Sequence, residues 1–116
     1  MTRAGRTTSD RTRAGPPVVS VAGVTLDVGH RRVETPGGHE ADLTPLQAAL
    51  LAHLMVRAGR VCTREELMCQ ALGYPVPVGT RTVDVHVATL RGKLEGALTI
   101  RSVRGVGYAL EPVPER

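Results

Sequence analysis

The stretch "TRTVDVHVATLRGKL", Thr80 to Leu94, decides how the chain is to be read. Val83, Val87, Leu90 and Leu94 recur at steps of four, three and four, the interval at which side chains stack on one face of an α-helix. The pattern predicts a helix over 80–95, with Thr80 as its N-cap and those four residues turned into a core. At about 100° per residue the opposite face carries Arg81, Val85, Ala88, Thr89 and Gly92. A surface helix meant for water shows more charge than that. A partner other than water is expected against it.

Upstream, two more helices announce themselves by their caps. "LTPLQAALLAHLMVRAG" has Thr44 as N-cap, Pro45 at the first helical position, Gln47 closing a capping box, and Gly59 where the helix should stop. Its inward face reads Leu50, Leu51, Leu54, Met55 and Ala58. "TREELMCQAL" repeats the device with Thr63 and Glu66, and sends Leu67, Met68, Ala71 and Leu72 inward. Between it and the opening helix, "GYPVPVG" over 73–79 holds two prolines and two glycines and is a loop.

The flanks are β-prone. From Val18 to Ala41 the runs "VVSV", "VTLDV", "RRVET" and "HEADL" are separated by turn residues, which predicts three or four short antiparallel strands. "LTIRSVRGVGYALEP" is two β-prone runs around Arg104-Gly105-Val106-Gly107, a hairpin whose glycines permit a tight turn. Strands, three helices and a hairpin, without internal repeats, make an α+β chain.

At 116 residues the chain suits one domain with a single core, and with no Phe, no Trp and only Tyr74 and Tyr108 that core must be aliphatic. Residues 1–17 are rich in Arg, Thr, Gly and Pro and have little to bury, so they read as a flexible basic N-terminal tail, and 113–116 as a C-terminal tail. Arg3, Arg6, Arg11 and Arg13 either adhere to phosphates without sequence preference or simply solvate the leader. A net charge of +4 and a pI near 9.8 are compatible with an acidic partner such as nucleic acid.

Other classes of function find little support. Cys62 and Cys69, seven residues apart, match neither a CxxC pair nor a zinc knuckle, and the four histidines are scattered. Two reduced thiols, no metal and no cofactor are expected. There is no apolar run of roughly 18 residues and no apolar core of a secretory signal near the start. A cytoplasmic protein without a membrane partner is therefore expected. No nucleophile and base at a recognisable spacing, no phosphate loop ahead of a helix and no paired carboxylates argue for an enzyme or a small-molecule substrate.

Helix, loop, helix and closing hairpin form the winged helix-turn-helix plan, in which the last helix is offered to the major groove and the hairpin lies beside it. "LTPLQAALLAHLMVRAGRVCTREELMCQAL", "RTVDVHVATLRGKLEG" and "IRSVRGVGYALEP" resemble the OmpR/PhoB-type winged-helix domain, the output domain of two-component response regulators. The likeness runs from about Val18 to Pro112 and implies a four-stranded N-terminal antiparallel sheet, three helices and a C-terminal β-hairpin wing.

The resemblance also implies contacts with double-stranded DNA. It places Arg104 at the wing tip, where relatives send an arginine into the minor groove, although a solvated turn residue is the plainer alternative. It sets Arg64, Arg81, His86 and Lys93 to meet phosphates, with Ser102 donating its hydroxyl. His86 has a second reading as a half-buried packing residue, and Arg91 is expected to be an internal salt-bridge partner of Asp84 or Glu95. Several relatives carry arginines where this chain has Ala88 and Thr89, and an aromatic where it has Leu72. Val85, Ala88 and Thr89 should therefore read thymine methyls and groove shape more than guanine edges. Gly92 either lets another surface approach closely or is merely tolerated, at up to about 1 kcal/mol relative to alanine.

The expected function is that of a sequence-preferring DNA-binding transcriptional regulator, with helix 80–95 in the major groove and wing 100–110 in the minor groove. Its rival is a protein-binding winged helix that docks on RNA polymerase or another regulator, through the 73–79 loop by which relatives approach polymerase. The chain has no room for the phosphoacceptor receiver that usually precedes this domain, so it reads as a detached output domain or a small regulator controlled otherwise. Two copies on tandem half-sites remain open.

Overall fold

The computed structural model describes residues 18–75 and 81–112. The expected tails, the Thr80 cap and residues 76–79 of the loop lie outside the described residues. Four strands open the fold, β1 (Val18–Val21), β2 (Val24–Asp27), β3 (Arg32–Glu34) and β4 (Glu40–Asp42), an antiparallel meander in sequence order. Ala22 and Gly23, both at positive φ, join β1 to β2 in the two-residue turn whose twist matches its strands. Val24, Leu26 and Val33 are fully buried and seat this sheet on the helices.

Helix α1 (Pro45–Val56) starts as its caps predict. Thr44 Oγ1 accepts from the Gln47 N–H (3.2 Å) and Gln47 Oε1 from the Thr44 N–H (3.1 Å), so two otherwise orphaned donors are satisfied. Leu50, Leu51, Leu54 and Met55 are buried as expected, but Ala58 lies past the helix end and is exposed. A residue absent from the expected face, His53, is buried instead. Gly59, at φ +87°, turns the chain and donates to the Leu110 carbonyl (2.8 Å).

Helix α2 (Arg64–Glu66) has half of its expected capping box. Thr63 Oγ1 accepts from the Glu66 N–H (2.9 Å), while the Glu66 carboxylate turns to His53. The helix widens at once into a π-helical turn, Leu67–Ala71, closed by Leu72 N–H to the Leu67 carbonyl (3.0 Å). That turn keeps Leu67 and Met68 inward. In α3 (Arg81–Leu94), Val83, Val87, Leu90 and Leu94 are all fully buried, as their spacing requires.

The closing hairpin is part of a larger sheet than expected. A short strand β5 (Cys62–Thr63), just ahead of α2, pairs with β7 (Gly107–Pro112), which pairs in turn with β6 (Leu98–Val103), giving the antiparallel order β5-β7-β6. Both glycines of the hairpin were expected to serve its turn, yet only Gly105, at φ +76°, lies in it. Gly107 sits on β7 opposite Thr63, where a Cβ would stand 1.9 Å from the Cys62 carbonyl oxygen and 2.8 Å from Thr63 Cα. Its missing side chain is what lets β5 close on the wing.

Two substitutions separate these roles. Gly107→Ala should cost about 3 kcal/mol or more, because backbone must move to admit the methyl. Gly105→Ala should cost only about 1 kcal/mol for a left-handed non-glycine residue. Urea unfolding of both variants checks the ranking, and a cheaper Gly107→Ala would mean that β5 is not held against β7.

Candidate nucleic-acid interface

The buried quartet of α3 leaves Arg81, Val85, Ala88, Thr89 and Gly92 at the surface, with Val85 59% exposed and His86 half-buried beside them. Thr89 donates its hydroxyl proton to the Val85 carbonyl (3.3 Å), which leaves it a methyl group and acceptor lone pairs to present outward. A Cβ at Gly92 would meet no atom within 4 Å, so no packing among the described residues requires that glycine. Arg104 is exposed at the wing turn, and the neighbouring Val106 is 43% exposed. The Val106 carbonyl accepts from the Arg64 N–H (3.2 Å), which joins the wing tip to the start of α2.

Other cations expected to face phosphates have partners within the fold. Arg64 Nε donates to Asp84 Oδ1 at 3.0 Å, and its guanidinium lies 5.1 Å over the Tyr108 ring. Lys93 Nζ donates to the Asp42 carbonyl (2.7 Å) and to Gln47 Oε1 (2.9 Å), so it closes α3 onto β4 and the cap of α1. Ser102 Oγ accepts from Arg91 Nη2 at 2.9 Å and keeps its own proton to donate. Arg91 is exposed and bonds within the fold, not through the expected carboxylate of Asp84 or Glu95: its Nε and Nη2 both donate to the Ile100 carbonyl on β6. Asp84 is taken by Arg64 and by the Tyr108 hydroxyl, and Glu95 lies near His39 instead (3.7 Å).

The electrostatics follow from these bonds. The Tyr108 hydroxyl, donating to Asp84 Oδ1 at 2.5 Å, and then the Arg64 guanidinium hold the Asp84 carboxyl below the usual carboxylate range against the opposing effect of burial. Burial and the adjacent Asp84 push the Tyr108 phenol up.

A second cluster, around β5, has no signature in the residue spacing. His53 Nε2 lies 2.8 Å from Glu66 Oε2, and the Cys62 thiol joins them so that one ligand atom from each falls within 4.8 Å of the others. The hydrogen bond from His53 holds the Glu66 carboxyl down, and burial pushes the Cys62 thiol up. Cys62 and Cys69 are both free thiols. Among the described residues no helix is long and apolar enough to cross a membrane.

Asp84 has a depressed folded pKa, so its contribution is complete above its unfolded value of about 3.9 and is lost as pH falls through the folded value. Because the side chain is 42% exposed, Asp84→Asn should cost only about 1 kcal/mol at pH 7. Urea unfolding at pH 7 and pH 3 should show the gap between wild type and variant closing in acid. A gap as wide at pH 3 as at pH 7 would refute the assignment.

Residues 38–110 match the family model described as "Transcriptional regulatory protein, C terminal". The DNA-binding response regulator MtrA of Mycobacterium tuberculosis is 40% identical over 99 residues, covering 82% of this chain and 43% of that protein. The transcriptional regulatory protein BasR of Escherichia coli is 42% identical over 90 residues, covering 78% of this chain and 40% of its own length. The chain thus spans less than half the length of these curated relatives. Among solved structures, the Klebsiella pneumoniae RstA DNA-binding domain in complex with the RstA box superposes with a TM-score of 0.69 at 30% identity, covering 83% of this chain and 98% of that one. The AdeR DNA-binding domain in complex with an intercistronic region gives a TM-score of 0.67 at 29% identity, covering 79% and 97%. A family model spanning most of the chain, two regulators at 40% identity or better and a shared winged-helix architecture agree: the chain belongs to the OmpR/PhoB-type family of transcriptional regulatory protein C-terminal domains.

Proposed function

We propose that this chain is a sequence-preferring double-stranded DNA-binding transcriptional regulator, with α3 lying in the major groove and the β6–β7 wing reaching the adjacent minor groove. The observation that carries the reading is the exposed face of α3. It is a ridge of Val85, Ala88, Thr89 and Gly92 with Arg81 at its start, held at a fixed rotation by four buried residues and flanked by an exposed arginine on the wing. Relatives with this fold have been solved on their DNA.

Within that reading Arg81 and His86 meet phosphates, and Arg104 enters the negative potential of the minor groove. Val85, Ala88 and the Thr89 methyl pack on thymine methyls, and the Thr89 oxygen accepts from base amino groups. Arg64 and Lys93 hold α3 in place instead of touching DNA, and Ser102 retains a hydroxyl proton for a phosphate. The DNA-binding unit is residues 18–112, working in the cytoplasm without catalysis. RNA polymerase contact through the 73–79 loop and pairing of two copies on tandem half-sites rest on the family resemblance.

Two measurements test the assignments. Arg104→Ala should weaken binding and reduce the log–log salt slope by about 0.9, one phosphate-like contact. Lys93→Ala should leave that slope unchanged while lowering stability by about 1 kcal/mol. Selection from random DNA should return an A·T-rich half-site, and Thr89→Ala should relax preference at a single position. A consensus dominated by G·C pairs would overturn the methyl-reading assignment, and absence of any saturable complex would leave the protein-docking reading.

A further inference from the structure

We propose that His53, Cys62 and Glu66 form a binding site for a divalent first-row metal ion of borderline softness, with Zn2+ the best match. The three ligands come from three separate elements, His53 from α1, Cys62 from β5 and Glu66 from α2, and their ligand atoms lie within 4.8 Å of one another. A tetrahedral ion bonded at about 2.3 Å to sulfur and about 2.0 Å to nitrogen and oxygen holds its ligand atoms about 3.3–3.5 Å apart. The His53 and Glu66 atoms, 2.8 Å apart, need to open by about 0.5 Å, and the thiol needs to close by no more than about 1.5 Å. Those are side-chain rotations, not rearrangements of the fold.

The donor set selects the ion. One thiolate and one imidazole favour a borderline cation over Mg2+ or Ca2+, which take oxygen, and a single sulfur is too few for an iron–sulfur cluster. Binding releases the Cys62 thiol proton, after which thiolate and carboxylate together balance the two positive charges of the ion. Glu66 is 20% exposed and provides access for a water in the fourth position. Arg57 completes the surroundings: its Nη1 donates to the His53 backbone carbonyl (3.4 Å) and its Nε lies 3.8 Å from Glu66 Oε2, a placement that steadies the Glu66 carboxylate.

An ion here would clamp α1, β5 and α2 together, and β5 is paired to β7 of the wing. Metal would therefore tie the helix-turn-helix to the wing. This consequence does not depend on what α3 binds.

The full chain, reduced and stripped of metal with a chelator, is titrated with Co2+ and then with Zn2+. The expected result is one equivalent bound, with the intense visible bands of tetrahedral Co2+, a thiolate-to-cobalt charge-transfer band that Zn2+ abolishes, and a rise in Tm on adding Zn2+. Cys62→Ser and the apolar Cys62→Val should both lose the charge-transfer band, with cooperative urea unfolding showing that each still folds. His53→Gln and Glu66→Gln should weaken binding by more than about tenfold, and Cys69→Ser should leave it unchanged. Failure of the wild-type chain to bind one equivalent, or a charge-transfer band that survives in Cys62→Val or vanishes in Cys69→Ser, overturns the proposal.

Discussion

One carboxylate oxygen, Asp84 Oδ1, organises the DNA-facing half of the molecule. It accepts from the Tyr108 hydroxyl on β7 and from Arg64 Nε at the head of α2, so α3 is bonded to the wing and to the preceding helix at a single point. The guanidinium groups of Arg64 and Arg91 both lie over the Tyr108 ring, at 5.1 and 5.7 Å, and Arg91 continues to the Ile100 carbonyl and Ser102 on β6. Hydrogen bonds that share a charged acceptor are stronger than neutral ones and demand their geometry. Together with the buried quartet of α3 they set both the rotation of that helix and its distance from the wing.

The same constraint explains why the outer face of α3 carries so little charge. Arg64, Arg91 and Lys93 are all near enough to supply it, and all three are turned to partners within the fold. What remains outward is a ridge of small and β-branched side chains, stiff at χ1 and cheap to desolvate. A ridge of this kind reads by fit and by methyl contact, and leaves attraction to the cations at its margins. The fold has spent its central cations on position.

Strand β5 is the second point on which the structure depends. Only two residues long, it lies close enough to β7 to exclude any side chain at Gly107, and its Cys62 is the register partner of Tyr108. Through Tyr108 that ladder leads to the Asp84 knot. Through Cys62 it presents a thiol to His53 and Glu66. Stability of the helix-turn-helix and placement of the wing are thus coupled through a few residues around β5, which is where a bound cation would act.

Much of the fold was legible along the chain. The 4-3-4 spacing of Val83, Val87, Leu90 and Leu94, the Thr44–Gln47 box and the turn residues between the N-terminal strands are all interactions between residues within a turn or two of each other, and local backbone geometry suffices to decide them. The outward set on α3 and the exposed Arg104 follow from the same periodicity and turn chemistry. Tertiary structure alone decided what the long side chains do. Arg64 and Asp84 are twenty residues apart and Lys93 reaches a carbonyl fifty-one residues away, so whether such a cation faces solvent or an internal acceptor depends on which elements pack together. The same holds for Gly107, whose need to be glycine comes from another strand's carbonyl, and for His53, Cys62 and Glu66, whose uneven spacing gives no motif until α1, β5 and α2 converge. Periodicity tells a residue which way to point, and only packing determines what it meets there.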